Sequence, residues 1–245
     1  DFCLSRGLGD VYKRQVWAIV AVIAIALLVI GIIVYNGKND RKDAIAEEML
    51  DTEGITATWN EGEDFITLSG EGVTDAPKAD LFEDFSCSYC AELEVETGEP
   101  MLEALKAGEI AVDLRPMVFL DGQQQAYTPG HSTASASAML ALFAHGETAP
   151  ALNLRAYLFE NQEDVYKKLE TADLADLAAD YGASDAALQD IRDEKYAEAV
   201  KEMSDANLKL QEERAGEAWT PRVMLDEKDI DGDVGQWVET LKASK

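Results

Sequence analysis

Hydrophobic positions along this chain change their spacing from one region to the next. Residues 16–35 read VWAIVAVIAIALLVIGIIVY, apolar on every face of a helix and without a charge. Further on, short apolar runs alternate with turn residues. DFITLSG (64–70) and KADLFEDF (78–85) predict strands, separated by a turn over 72–75. A helix is predicted from Cys87 through Leu93 and Val95, broken around Gly98 and Pro100, resumed over MLEALKAG and stopped by Gly108. EIAVDLRPMVFL (109–120) predicts a third strand, kinked or ended on one edge by Pro116, which has no N–H to donate.

After a loop over 121–130 the period changes to that of helices. HSTASASAMLALFAHG (131–146) sets Met139, Leu140 and Phe143 at helical spacing, and ALNLRAYLFENQ (151–162) predicts the next helix. A third, 171–182, has Thr171 as N-cap and Gly182 as terminator; a single long helix is expected over 184–216, from Ser184 to Gly216. WTPRVMLD returns to strand character, EKDIDGD is a turn, and VGQWVETLKA closes the chain as a helix. The order predicts an α/β layer architecture: one βαβ unit, a helical insertion over about 128–215, then a last strand and helix.

The apolar run from Val16 to Tyr35 has the ~20 residues needed to span a bilayer core, with Trp17 and Tyr35 at its ends like interfacial aromatics. A cleavable signal peptide would have a shorter apolar region, of ~7–15 residues, before a small-residue cleavage site; here YNGKNDRKD follows. The expectation is one uncleaved transmembrane helix, a polar stalk over 36–60 with a short helix over 44–50, and a domain over 61–245. Lys38, Arg41 and Lys42 on the C-terminal flank would by themselves favour a cytoplasmic domain. SRGLGDVYKRQ (5–15) resembles a one-frame translation of a DNA adapter used in transposon-based sequencing libraries. Residues 1–15 are therefore expected to be foreign, which sets aside Cys3, Lys13 and Arg14.

Charge adds an exclusion. With 48 acidic and 21 basic residues the net charge is −27, a surface that repels nucleic acid and anionic lipid.

The remaining cysteines, Cys87 and Cys90, stand two residues apart where a strand gives way to a helix. Three chemistries use such a pair. Structural zinc wants four ligands, and only His131 and His145, in another segment, could complete the set. A structural disulfide over so short a loop gains little chain entropy. A redox pair uses the placement fully: a helix N-terminus stabilises the first thiolate, and the second thiol, one turn on, can resolve a mixed disulfide.

LFEDFSCSYCAELE resembles the active-site segment of DsbA-like thioredoxin-fold proteins. The helical insertion resembles that family's helical subdomain, and WTPRVML its Thr-Pro motif, in which the proline is cis and faces the disulfide. The resemblance implies a thioredoxin-like α/β fold behind a single transmembrane helix. It implies a membrane-tethered thiol–disulfide oxidoreductase on the extracytoplasmic side, working without a cofactor beyond a Cys87–Cys90 disulfide. Its partners would be thiols of secreted or cell-envelope proteins and a membrane redox partner, either a quinone-linked oxidase or an electron donor. Carried across, Cys87 is the exposed nucleophile, Cys90 the buried resolving thiol, Pro221 the cis-proline, Thr220 a source of backbone groups for a substrate strand, and Glu83 a semi-buried acid that moves protons. Strongly oxidising members carry histidine between the cysteines; here Ser88 and Tyr89 stand there, among Glu83, Asp84, Glu92, Glu94 and Glu96. The departure implies a nucleophile pKa nearer the ~7 of thioredoxin than the ~3.5 of DsbA. A reductase or isomerase of the same fold, and a non-enzymatic membrane-tethered binding module, are the competing readings.

Overall fold

A computed structural model of the chain describes residues 49–122 and 126–244, together with Val16, Val20, Ile23, Leu27 and Leu28. Those five positions are helical and exposed. The rest of the expected span, residues 1–15 and the stalk up to residue 48 lie outside the described residues, within which no helix is long and apolar enough to cross a membrane. The second unit, Met49–Lys245, is compact by itself.

Its sheet has the order β1-β2-β4-β3-β5-β6. The strands are β1 (Ile55–Thr58), β2 (Ile66–Gly70), β3 (Lys78–Glu83), β4 (Ala111–Pro116), β5 (Arg222–Leu225) and β6 (Lys228–Asp229). β3 and β4 run parallel, joined through helix α1 (Ser88–Lys106); the other neighbours are antiparallel. All six residues of β4 are buried, as a central strand covered on both faces requires, whereas β2 alternates between more and less buried positions. Phe82, Met117 and Met224 form a buried cluster beside β4, each contributing roughly 1.5–3 kcal/mol by leaving water.

Two strands were missed from sequence: β6 (Lys228–Asp229) lies in the expected turn EKDIDGD, and β1 lies in the expected stalk. The stalk expected over 36–60 ends early, because Ile55–Thr58 is an edge strand paired with β2 from Ile55↔Gly70 to Thr58↔Thr67. With only Ile55 of its four residues fully buried, it left almost no apolar pattern to read.

Two helix expectations need correction. The break around Gly98 and Pro100 does not occur: α1 runs continuously with Pro100 inside. Pro100 and Glu96 both lie on the exposed side, so the carbonyl deprived of its partner faces water. Conversely, the helix expected over 184–216 is two, α6 (Asp185–Arg192) and α7 (Ala197–Ala215), separated at Glu194 in the left-handed region (φ 50°). Leu188 and Ile191 of α6 are buried in a helix packed on α2 (His131–Ala144) and α5 (Thr171–Asp180), while α7 packs on α2 and the sheet, so one straight helix could not serve both layers. Gly108 (φ 65°) and Gly216 (φ 82°) do end α1 and α7 in the left-handed conformation that glycine tolerates.

The insertion also contains α2 (His131–Ala144), α3 (Thr148–Glu160), the short α4 (Gln162–Val165) and α5 (Thr171–Asp180). The N-cap of α5 is Glu170, one residue before the expected Thr171; its N–H donates to Asp173 at 2.9 Å. α2 is buried on nearly every face, which its run of Ala, Ser and Thr allows by permitting close approach of its neighbours. α7 closes against β4 through polar groups. Ser204 Oγ accepts from the Val118 amide at 2.9 Å, and the Asn207 amide donates to the carbonyls of Asp64 and Pro116. Finally α8 (Trp237–Lys242) packs on α1, where buried Trp237 donates its indole N–H to Thr97 Oγ1 at 3.0 Å.

Candidate active site

β3 delivers the site and α1 completes it. The strand ends at Glu83, Asp84 to Ser86 turn the chain, and Cys87 is the extended N-cap of α1 (φ −88°, ψ 115°). Its carbonyl accepts the amides of Cys90 (3.1 Å) and Ala91 (3.3 Å), the first bonds of the helix. Both cysteines are free thiols here.

Cys87 is not the exposed thiol expected. It is 8% exposed and Cys90 3%, whereas Tyr89 between them is 67% exposed. The cover comes from the loop before β5, where the Thr220–Pro221 peptide is cis and the Thr220 carbonyl lies 3.3 Å from Cys87 Sγ.

The two thiols differ sharply in acidity. A hydrogen bond from the Cys90 thiol, opposed by burial and aided by the Thr220 side chain and the amides of Cys90 and Tyr89, lowers the Cys87 pKa to about 6. Burial pushes Cys90 well above the ordinary cysteine value, and its neighbour's sulfur adds to the rise. Near neutral pH Cys87 carries the negative charge and Cys90 the proton. The Cys87 value lies much nearer the expected ~7 than the DsbA-like ~3.5.

Of the acidic neighbours, Glu92 and Glu96 point to solvent, while Glu83, Asp84 and Glu94 are buried. Arg155 of α3 stands between two of them. Its Nε and Nη2 donate to Glu83 at 2.8 and 2.6 Å, and its Nη1 meets Glu94 at 2.6 Å. Glu83 is fully buried rather than semi-buried; its burial raises its pKa and Arg155 opposes the rise. Glu83, Cys90, Glu94, Arg155 and Pro221 line a small cavity of about 10 Å³, space for one water.

Asp84 is wholly buried and accepts from the Ser132 hydroxyl (2.5 Å) and the amides of Ser86 (2.9 Å) and Leu120 (3.2 Å). Burial nevertheless raises its pKa to about 7. His131 and His145 lie apart from the thiols, the first buried edge-on to Tyr166, the second against Asp190.

Sequence reasoning missed Arg155 and Gln162. Residues 83, 85 and 87 leave β3 with period two, and α3 and α4 answer with residues four and three apart. Arg155 pairs with Glu83, Phe159 stacks on Phe85 (4.6 Å between centroids), and Gln162 donates to the carbonyls of Phe85 (2.8 Å) and Cys87 (3.1 Å). A lone cation in the apolar ALNLRAYLF was the one available signal, since a buried arginine demands a buried anion.

Two thiols with acidities driven apart, at the end of a βαβ strand and under a cis Thr-Pro, make a dithiol–disulfide exchange centre on a thioredoxin-like fold. Residues 70–243 match the family described as thioredoxin. A solved structure of MdbA, a thiol-disulfide oxidoreductase from Corynebacterium diphtheriae, is 34% identical, covers 80% of this chain and 98% of its own, and superposes with a TM-score of 0.74. The Corynebacterium matruchotii MdbA is 29% identical over 82% of this chain and 98% of its own, again with a TM-score of 0.74. DsbA from Mycobacterium tuberculosis, 19% identical, shares the fold with a TM-score of 0.56 over 74% of this chain and 99% of its own. No curated protein matches. The chain belongs to the thioredoxin family, in its DsbA-like group, and is a protein thiol–disulfide oxidoreductase.

Proposed function

We propose that this enzyme is tethered to the cell membrane by residues 16–35, with its domain on the extracytoplasmic side, and oxidises thiols of secreted and cell-envelope proteins. The reading is supported by the contrast between Cys87, the N-cap of α1 lowered to about 6, and Cys90, buried one turn on and raised well above its ordinary value. A stabilised Cys87 thiolate favours the reduced enzyme, and so makes the disulfide form an acceptor of electrons.

In the forward reaction a client thiolate attacks Cys87 Sγ of the Cys87–Cys90 disulfide. The S–S bond breaks, Cys90 leaves with the electron pair, and it takes up a proton. The client's second thiolate then attacks the client sulfur of the mixed disulfide and expels Cys87 as a stable thiolate. Two electrons have passed from the client to the enzyme, and a quinone-linked membrane oxidase removes them. Glu83, beside Cys90 across the one-water cavity, relays a proton from that water to the leaving Cys90 and returns to its ion pair with Arg155. Thr220 presents backbone groups to the client strand, beside Pro221. The anchor reading rests on the length of the uncharged run and on Val16, Val20, Ile23, Leu27 and Leu28, which are helical and exposed.

A second reading has support in Ser88 and Tyr89, which bring no cation to the thiolate, and would have the same pair reduce disulfides with electrons from a transmembrane donor. Titration of the pair against glutathione separates the two. A potential near the ~−120 mV of DsbA supports the oxidase, and one near thioredoxin's ~−270 mV supports the reductase. Absence of any reversible couple would return the site to a binding module.

A further inference from the structure

Gln162 reaches from the helical insertion into the active-site loop. Its side-chain amide nitrogen donates to two carbonyls, those of Phe85 at 2.8 Å and Cys87 at 3.1 Å, on either side of Ser86. The Cys87 carbonyl is also the first acceptor of α1, taking the amides of Cys90 and Ala91. One side chain thus holds both the strand exit and the helix entrance. The Phe85–Phe159 stack seats the end of α3 on the loop three residues before Gln162, and so fixes where that amide arrives. Gln162 is itself only partly buried and touches none of the reacting sulfur atoms in these bonds.

We propose that Gln162 is a positioning residue for Cys87: it holds the N-cap geometry in which the first amides of α1 converge on Sγ. The proposal rests on the reading of Cys87 as the reacting thiol. The physical argument is one of direction. A hydrogen bond to a carbonyl oxygen draws off negative charge close to the sulfur, and it fixes the peptide planes of the helix entrance, whose Tyr89 and Cys90 amides help to lower the Cys87 pKa. Released from Gln162, the Phe85 carbonyl loses its donor and the Cys87 carbonyl is left with the amides of α1 alone, so the strand exit and the helix entrance are no longer tied together. The charged and titratable groups around the pair are Glu83 on β3, Asp84 in the loop, Cys90 and Glu94 on α1, and Arg155 on α3. Substitution at Gln162 removes none of them.

The test compares the full chain with its Gln162→Leu, Gln162→Glu and Gln162→Lys variants. Iodoacetamide alkylation is followed against pH by mass on the peptide carrying Cys87, which excludes Cys3, and the reduction potential is measured against glutathione. In the Leu variant the midpoint of Cys87 ionisation is expected to rise by about one unit, tenfold in the ionisation constant, with the potential falling by up to about 30 mV. The Glu variant, which sets oxygen against oxygen, should move further, and the Lys variant, which keeps a donor, should stay at or below the wild-type midpoint. Gln162 is only partly buried, so all three variants are expected to fold, and thermal unfolding of each is measured beside the midpoint to check this. If the wild type shows no low midpoint at Cys87, the reading of that thiol falls first. If it does show one, and the Leu variant shares its midpoint and potential, Gln162 is a structural cap only and the proposal is overturned.

Discussion

The sulfur of Cys87 and the carbonyl oxygen of Thr220 lie 3.3 Å apart although 133 residues separate them along the chain. β3 brings one and the loop before β5 brings the other, because β3 and β5 are antiparallel neighbours in register from Ala79↔Leu225 to Phe82↔Arg222. Any group that reaches the Cys87 sulfur therefore meets the Thr220–Pro221 segment at the same time.

The order of the two thiols is testable by trapping. Cys90→Ala keeps a nucleophile at Cys87 and removes the group that resolves the mixed disulfide, so Cys87–client adducts should accumulate and turnover should fall by orders of magnitude. Cys87→Ser should abolish both turnover and adducts. Non-reducing gels with mass analysis decide it; adducts through Cys90 in the Cys87→Ser protein would reverse the assignment.

Reduced and oxidised forms should respond differently to pH. Cys87 has a folded pKa near 6 against an ordinary value of 9.0, so its ionisation stabilises the folded dithiol form. That stability is fully present above pH 9 and is lost as pH falls through 6. At about 1.4 kcal/mol per pKa unit the upper limit is about 4 kcal/mol, and the disulfide form has no such term. The difference in urea-unfolding free energy, dithiol minus disulfide, should rise between pH 6 and 9; a flat difference would show that Cys87 is not ionised early.

Asp84 acts in the opposite sense and in both redox forms. Its folded pKa of about 7 lies above the ordinary 3.8, so its contribution is complete below pH 4 and is lost as pH rises toward 7. Asp84→Asn should flatten that part of the stability profile. It should also weaken the loop, because the amide nitrogen would face one of three donors now served by carboxylate oxygens.

Arg155→Met leaves Glu83 and Glu94 buried without their cation. Removing one partner of such a cluster costs about 3–5 kcal/mol, so the urea midpoint should drop substantially. Glu83→Gln in the same background should recover part of the loss, by removing one of the two stranded charges, and a double-mutant cycle measures how much.

Sequence pattern carried the architecture wherever an apolar period was strong. The apolar runs of β3 and β4, the capped helices of the insertion and the Cys-x-x-Cys at a helix entrance could all be read in order along the chain. The spacing also determined that both sulfurs share one turn of α1, since positions three apart lie on one face of a helix. Elements whose signal was weak or shared were misplaced: β1 with its single buried Ile55, the continuous α1 around Pro100, and the division of α6 from α7.

Only the tertiary structure decided which acidic residues matter. Glu83, Asp84, Glu92, Glu94 and Glu96 are alike as letters, but burial divides them. Glu83 and Glu94 close on Arg155, Asp84 on Ser132, and Glu92 and Glu96 reach solvent. Arg155 and Ser132 lie tens of residues away and carry no local pattern that names their partners. A carboxylate's energy depends on the dielectric and charges around it in space, whereas periodicity reports only which side of its own element a residue occupies. The same reason separates Cys87 from Cys90: adjacency made them a pair, and in the fold the hydrogen bond from the Cys90 thiol, aided by the Thr220 side chain and the first amides of α1, lowers Cys87 while burial raises Cys90.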